Sequence, residues 1–204
     1  MSLAIPDPAR SAVVLIDLQN DFLHPDGAYA RGGQADAHLA ALPAHVAPLL
    51  PVARDAGAVV VFSRFTIWPG RVGEPLVAEH LLALRPFLRT GDFAPDSWGQ
   101  RTVDVLGEPD LTIDKVSYSA FAHTRLGWWL GKVGVDHLVL GGIVTNGGVA
   151  STARDAHGQD LGLTLLSDGC GAFDRVVHDA TLTSLGSVAP AVTVADLVAA
   201  WSCR

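Results

Sequence analysis

Six short runs in this chain are rich in β-branched and aliphatic residues, and several of them are apolar at every position rather than at every second one. They are Ala12–Asp17 (AVVLID), Ala58–Ser63 (AVVVFS), Leu111–Lys115 (LTIDK), His137–Gly141 (HLVLG), Gly162–Ser167 (GLTLLS) and Ala191–Ala195 (AVTVA). A strand with no polar face must be covered on both sides, as in a parallel sheet held between layers of helices. Ala- and Leu-rich stretches with helical patterning lie between the runs, near Asp36–Asp55, Thr124–Lys132, Gly148–Gln159 and Asp174–Leu185. This alternation predicts an α/β protein with a doubly wound, Rossmann-like, mainly parallel six-stranded sheet, in one domain over residues 1–204. The stretch Thr66–Pro109, rich in Pro, Gly and Trp, is the least regular part and is expected to shape a pocket.

Composition narrows the function classes. With 49% apolar and 17% charged residues, the chain has material for a sizeable core and is not a disordered chain. Its 14 basic and 21 acidic residues leave a net charge of −7 and no Lys/Arg cluster, which argues against nucleic acid or anionic membrane as a partner. The apolar runs fall far short of the roughly 20 residues that span a bilayer. Ala12–Ile16 is too short for the apolar core of a signal peptide and Asp17 interrupts it. Two cysteines, Cys170 and Cys203, cannot build a disulfide framework or a multi-cysteine zinc site. The expectation is a cytoplasmic protein whose partner is a small molecule.

In a doubly wound sheet, ligands sit beyond the carboxyl ends of the strands. The residues placed there are Asp17, Ser63–Arg64, Lys115, Gly142–Gly148 and Asp168. A carboxylate such as Asp17 against an apolar wall has a raised pKa suited to proton transfer, and a nearby cation pulls it back down. The plainer alternative is a strand-end Asp that caps a turn. Lys115 is a candidate for that cation, against the alternative of a solvated surface lysine. Gly147 and Gly148 precede a helix whose first N–H groups stabilise negative charge, unless the pair only makes a tight turn. No GxxxxGK[ST] loop and no GxGxxG fingerprint occurs, so a nucleotide has little support.

Taken together, VVLIDLQNDFLHPDGA, KVSYSAFAHTRL, GGIVTNGGVASTARDA and LLSDGCGAFD resemble, in order and spacing, the isochorismatase-like hydrolases, or cysteine hydrolase superfamily. That resemblance covers most of the chain and implies a three-layer α/β/α sandwich. It implies a homodimer or homotetramer, with which apolar Trp128 and Trp129 are compatible. In amide-cleaving members an Asp–Lys–Cys triad operates, and the match puts the Asp on Asp17 and the Lys on Lys115. The cysteine position falls on Gly148, within a motif where Gly142, Thr145, Val149, Thr152, Asp155 and Ala156 keep register. Glycine has no side chain to attack with. Cys170 reads as a small buried residue and Cys203 as a mobile penultimate one. The family's oxyanion site corresponds to the N–H groups of Val144 and Gly148, with a cis peptide at Ile143–Val144.

The family's nicotinamidases bind a divalent ion through an Asp-x-His and a further His after the second strand. The corresponding FSRFTIWPG holds neither residue type, and His24, His80 and His123 lack paired spacing, so no catalytic metal and no cofactor is expected. Arg64 and Trp68 instead offer a cation and a flat apolar surface to the pocket, the alternative for Trp68 being a packing aromatic. The leading reading is a small-molecule hydrolase using Asp17 as acid/base and Lys115 as electrostatic partner without a cysteine nucleophile, acting on a vinyl ether or by another non-covalent route. The alternatives are a non-catalytic ligand-binding relative of the amidase branch, or an amidase (nicotinamidase, biuret or ureidoacrylate hydrolase type) whose nucleophile has been replaced.

Overall fold

In the computed structural model, which describes residues 5–203, the chain runs β1 (Ser11–Ile16), α1 (Asn20–Leu23), α2 (Ala28–Arg31), α3 (Ala37–Val46), α4 (Leu49–Asp55), β2 (Val59–Phe65), α5 (Glu79–Leu84) and β3 (Leu111–Lys115). It continues through α6 (Leu126–Val133), β4 (His137–Ile143), α7 (Ala150–His157), β5 (Gly162–Gly171), α8 (Arg175–Leu185), β6 (Ala191–Val192) and α9 (Val194–Trp201). The strands form a six-stranded sheet in the order β3-β2-β1-β4-β5-β6, and every neighbouring pair is parallel. The winding reverses between β1 and β4, and the crevice at their carboxyl ends is where such a sheet takes its ligand.

Side-chain alternation along the strands divides the core in two. Ala12, Val14 and Ile16 of β1 join a cluster covered by α6, α7 and α8 through Leu126, Leu130, Ala153, Ala156 and Leu185. Val13 and Leu15 join the opposite cluster, covered by α3, α4 and α9 through Leu39, Leu50, Ala53, Leu197 and Trp201. All six residues of β1 are buried. The result is the expected three-layer sandwich.

Three elements depart from the sequence expectation. The first is β5, which runs on to Gly171 and so holds Asp168 inside the strand, 2.9 Å from His45 Nε2, and not beyond its end. The helix expected over Asp36–Asp55 is broken into α3 and α4 at Ala47–Pro48, where Pro48 supplies no N–H and stands at the α4 N-cap. The run expected as a strand over Ala191–Ala195 pairs only through Val192, because the Thr193 hydroxyl accepts the Asp196 N–H and starts α9. Of the two neighbouring tryptophans, Trp129 packs against the first cluster whereas Trp128 is 65% exposed.

Gly142 is required by the close approach of β4 to β1. Its φ is +108°, and a Cβ there would lie 2.2 Å from the Ile16 carbonyl oxygen. Trp201 closes the opposite cluster, 1% exposed, with its indole N–H donated to the Pro6 carbonyl at 3.1 Å. Trp201→Ala is expected to cost about 3–5 kcal/mol in urea unfolding. Trp201→Phe keeps most of the apolar contact and is expected to lose only about 1–2 kcal/mol.

Candidate functional site

β1 delivers Asp17 to the carboxyl end of the sheet in a left-handed conformation, φ +55°. The Asp17 N–H donates to the Ser63 carbonyl at 3.1 Å, and the Ser63 hydroxyl donates to Asp17 Oδ1 at 2.9 Å. Lys115, the last residue of β3, reaches across β2 and sets Nζ 2.6 Å from Asp17 Oδ2. The same ammonium donates to the Ser117 carbonyl at 2.9 Å and lies 5.6 Å from the centre of the Phe65 ring. Asp17 is 5% exposed and Lys115 2%. Burial pushes the Asp17 carboxyl above its ordinary range; Lys115 opposes that shift by charge and hydrogen bond, and Ser63 and the Phe65 N–H oppose it further.

The third contribution comes from β4. The Ile143–Val144 peptide is cis, and among the described residues the Val144 N–H meets no hydrogen-bond acceptor. The wide turn Thr145–Val149 then leads into α7. It is tied down on both sides: Thr145 Oγ1 lies 2.7 Å from His178 Nδ1, and Thr152 donates to the Gly148 carbonyl at 2.7 Å while accepting the Ala120 N–H. A Cβ at Gly148 would stand 3.5 Å from Asp17 Oδ2, so Asp17, Lys115 and Gly148 converge. That Cβ would also lie 2.7 Å from Ile16 Cγ2, so any side chain here requires Ile16 to shift.

Not every residue expected at the pocket takes part. Arg64 lies on the other face of the sheet from Ser63 and Phe65, because neighbouring strand residues point to opposite faces. There its guanidinium is held by Asp114 at 2.8 Å, so Arg64 offers its charge to that partner and not to the Asp17–Lys115 pair. Trp68 is 47% exposed beside the Pro69–Pro75 bridge and stands outside the aromatic cluster behind the site. The Cys170 thiol is buried and pushed up to about 12 by that burial, which makes it an inert core residue; Cys203 is exposed after α9. Among the described residues no group of three or more His, Cys, Asp or Glu side chains converges as metal ligands would.

The sequence reading did not reach the aromatic cluster beside the site, whose Phe65 ring is centred 5.6 Å from Lys115 Nζ. Five of the seven phenylalanines (Phe22, Phe65, Phe87, Phe93 and Phe173) gather around Tyr29. They are scattered along the chain, and no periodicity links them. The polar triplet after β1 carried the available signal. Gln19 brackets β2 by donating to the Phe65 carbonyl at 2.9 Å and accepting the Phe65 N–H at 2.7 Å. Asn20 donates to the Trp98 carbonyl, and Asp21 accepts the N–H groups of Ala28 and Phe93. These three side chains fasten the irregular segment over the strand ends.

Chemically, the site holds a buried carboxylate beside an ammonium, a backbone N–H without an acceptor among the described residues and no nucleophilic side chain at the head of α7. It can move a proton and stabilise negative charge. At pH 7, Lys115→Met is expected to cost about 3–5 kcal/mol, because it leaves the Asp17 charge buried and unpartnered. Burial raises the folded pKa of Asp17, so the variant is expected to be most stable below about pH 4 and to lose stability as pH rises through that folded pKa. Adding Asp17→Asn should recover much of the loss and flatten the pH dependence. Urea titrations at several pH values check this, and a double variant as weak as the single one would assign the loss to packing.

The isochorismatase domain model matches residues 11–196 of this chain. The ureidoacrylate amidohydrolase RutB of Caulobacter vibrioides is 32% identical over 173 residues, covering 79% of this chain and 77% of that protein. The enzyme of the same name from Methylobacterium radiotolerans is 31% identical over 191 residues, 88% of this chain and 74% of that one. Among solved structures, a cysteine hydrolase from Pseudomonas syringae pv. phaseolicola superposes with a TM-score of 0.84 at 24% identity, covering 100% of this chain and 99% of that one. An isochorismatase family protein from Burkholderia thailandensis gives a TM-score of 0.73 at 26% identity over 97% and 99% of the two chains.

Proposed function

This chain belongs to the isochorismatase family, and from that premise we propose that it is a small-molecule hydrolase in which Asp17 moves the proton, Lys115 is its electrostatic partner and water is the nucleophile. The observation that carries the reading is the 2.6 Å contact between buried Asp17 and Lys115 beside Gly148. A buried ion pair is poor value for stability compared with apolar side chains of the same volume. Its position at the strand ends suits chemistry better than packing.

In this reading a water at Asp17 Oδ2 gives a proton to the carboxylate as its oxygen bonds to the substrate carbonyl carbon. Negative charge then develops on the carbonyl oxygen, facing the N–H groups of Val144 and Gly148. The carbon–nitrogen bond breaks, and Asp17 returns the proton to the leaving nitrogen. The names of the curated relatives direct the search to ureido compounds and amides first. A vinyl ether would use the same carboxyl as a proton donor to carbon. In either case the chain would form a homodimer or homotetramer, with which exposed Trp128 is compatible, readable by light scattering.

Purified protein assayed on ureido acids, small amides and isochorismate-type vinyl ethers tests the proposal. Asp17→Asn is expected to lower kcat by about 100-fold or more on whichever compound is turned over. For amides and ureas, where Asp17 acts as base, the acid limb of the rate profile is expected above the ordinary carboxylate range, because burial raises the Asp17 pKa. Binding without turnover of any member would support the non-catalytic relative instead. A large gain in amide hydrolysis on Gly148→Cys would support the replaced-nucleophile amidase, in which the Cβ would stand 3.5 Å from Asp17 Oδ2 once Ile16 shifts.

A further inference from the structure

The turn Thr145–Val149 carries the Gly148 N–H and follows directly on the Val144 N–H, and α8 holds it by a side-chain contact. Thr145 is fully buried, and its Oγ1 lies 2.7 Å from Nδ1 of His178, which is 3% exposed. Among the described residues the Thr145 hydroxyl has no other hydrogen-bond partner. A hydroxyl has one hydrogen to place, and a buried O–H left unpaired costs its full desolvation. The Thr145 O–H therefore donates and His178 Nδ1 accepts. That fixes the tautomer: a neutral His178 carries its hydrogen on Nε2, because the bond made by one ring nitrogen sets the proton on the other.

This contact tolerates only one charge state of the ring. A second proton can enter only at Nδ1, and an imidazolium has two donors and no acceptor. Nδ1–H would then face the Thr145 hydroxyl, whose own hydrogen would have to turn away into buried surroundings. The neutral ring holds the turn and the charged ring loosens it. The surroundings favour the neutral form. Burial keeps the His178 pKa below the ordinary imidazole value, Arg175 and His38 add to that effect, and Asp179 opposes it. Asp36 and His38 face the ring from the start of α3, across a cavity of about 180 Å³ that Phe173 and Arg175 also line. The nearby carboxylates are engaged elsewhere. Asp36 accepts the Leu39 N–H, Asp174 accepts the N–H groups of Val176 and Val177, and Asp179 is held by Arg175 at 3.1 Å.

We infer that His178 is a positioning residue for the proposed hydrolysis: as a neutral acceptor it holds Thr145, and with it the N–H groups of Val144 and Gly148, where negative charge develops on the substrate. What the turn does for a substrate rests on the hydrolase reading; the contact itself does not. Nitrogen–proton correlation spectra of the imidazole rings and backbone amides, recorded over about pH 4 to 8, test it without turnover. His178 is expected to show a bare Nδ1 at neutral pH, and the Val144 and Gly148 amide signals are expected to move as His178 titrates. His178→Asn places a carbonyl oxygen near the Nδ1 position with nothing to titrate, so it should lose that movement. Asp17 is common to both proteins, so the movement that is lost belongs to His178. On whichever ureido acid, amide or vinyl ether the wild type turns over, His178→Ala should lower kcat about 10- to 100-fold with KM little changed. His178→Asn should recover most of that loss. A hydrogen on Nδ1 at neutral pH, amide signals that ignore the titration of His178, or a His178→Asn variant no faster than His178→Ala would each overturn the proposal. The wild-type spectra keep it testable if either variant fails to fold. The expected spectra with no turnover by the wild type would count against the hydrolase reading alone.

Discussion

β1 is hydrogen-bonded along both edges and buried on both faces, and that constraint determines what the residue after it can be used for. With β2 on one side, β4 on the other and helices above and below, Asp17 emerges at an interior position where water reaches it poorly. A carboxylate there has to be answered by a cation or stay protonated. Lys115 supplies the cation from the outermost strand of that half of the sheet, so the pair depends on the register of three strands at once: Ile16 against Ser63, and Phe65 against Lys115. A slip of one residue in either pairing would turn Lys115 to the Asp114 face and leave Asp17 without a partner.

The charge of Asp17 is therefore a balance between two large opposed effects. Burial favours the protonated form, while Lys115, Ser63 and the Phe65 N–H favour the carboxylate. Such a balance makes the proton easy to move in either direction, which neither a solvated Asp nor an isolated buried one offers. The polar residues behind it hold β2 and the irregular segment in place. Gln19 spans β2 and the segment by donating to the carbonyls of Phe65 and Gln100, and Gln100 donates in turn to the Thr66 hydroxyl. The pair keeps its short distance because these donors and acceptors are matched.

Most of the fold was legible because its strands are buried on both faces. Runs such as AVVLID and HLVLG carry that information in their own composition, with no need of distant partners. Residues at strand ends were legible for the same reason, since the topology sends them to one edge; Asp17, Lys115 and Gly148 converge from three separate segments. Arg64 shows the limit. It also ends a strand run, but the two-residue alternation turns it to the face of Asp114, and the phase of that alternation is uncertain in an all-apolar strand. The aromatic cluster was beyond reach for another reason: its contacts span tens of residues of irregular chain, where neither periodicity nor a local turn signal links one partner to the next.

Gly148 is the point at which backbone geometry and side-chain packing part. The backbone around it has a form that would serve a nucleophile: a wide turn anchored by Thr145 and Thr152, a Val144 N–H without an acceptor among the described residues and a Cβ direction aimed at Asp17. The side-chain packing has taken the other course, because the Ile16 methyl stands where a Cβ at Gly148 would need room. Hydrogen-bonded backbone is costly to rearrange, since each buried donor and acceptor must find a new partner. A methyl group fills a gap at little cost and gains contact by doing so. A glycine at this point is therefore compatible with an intact donor scaffold and an apolar wall packed close beside it. In the proposed hydrolase, proton transfer by Asp17 and charge stabilisation by the turn need no side chain at Gly148, whereas covalent attack from the head of α7 would.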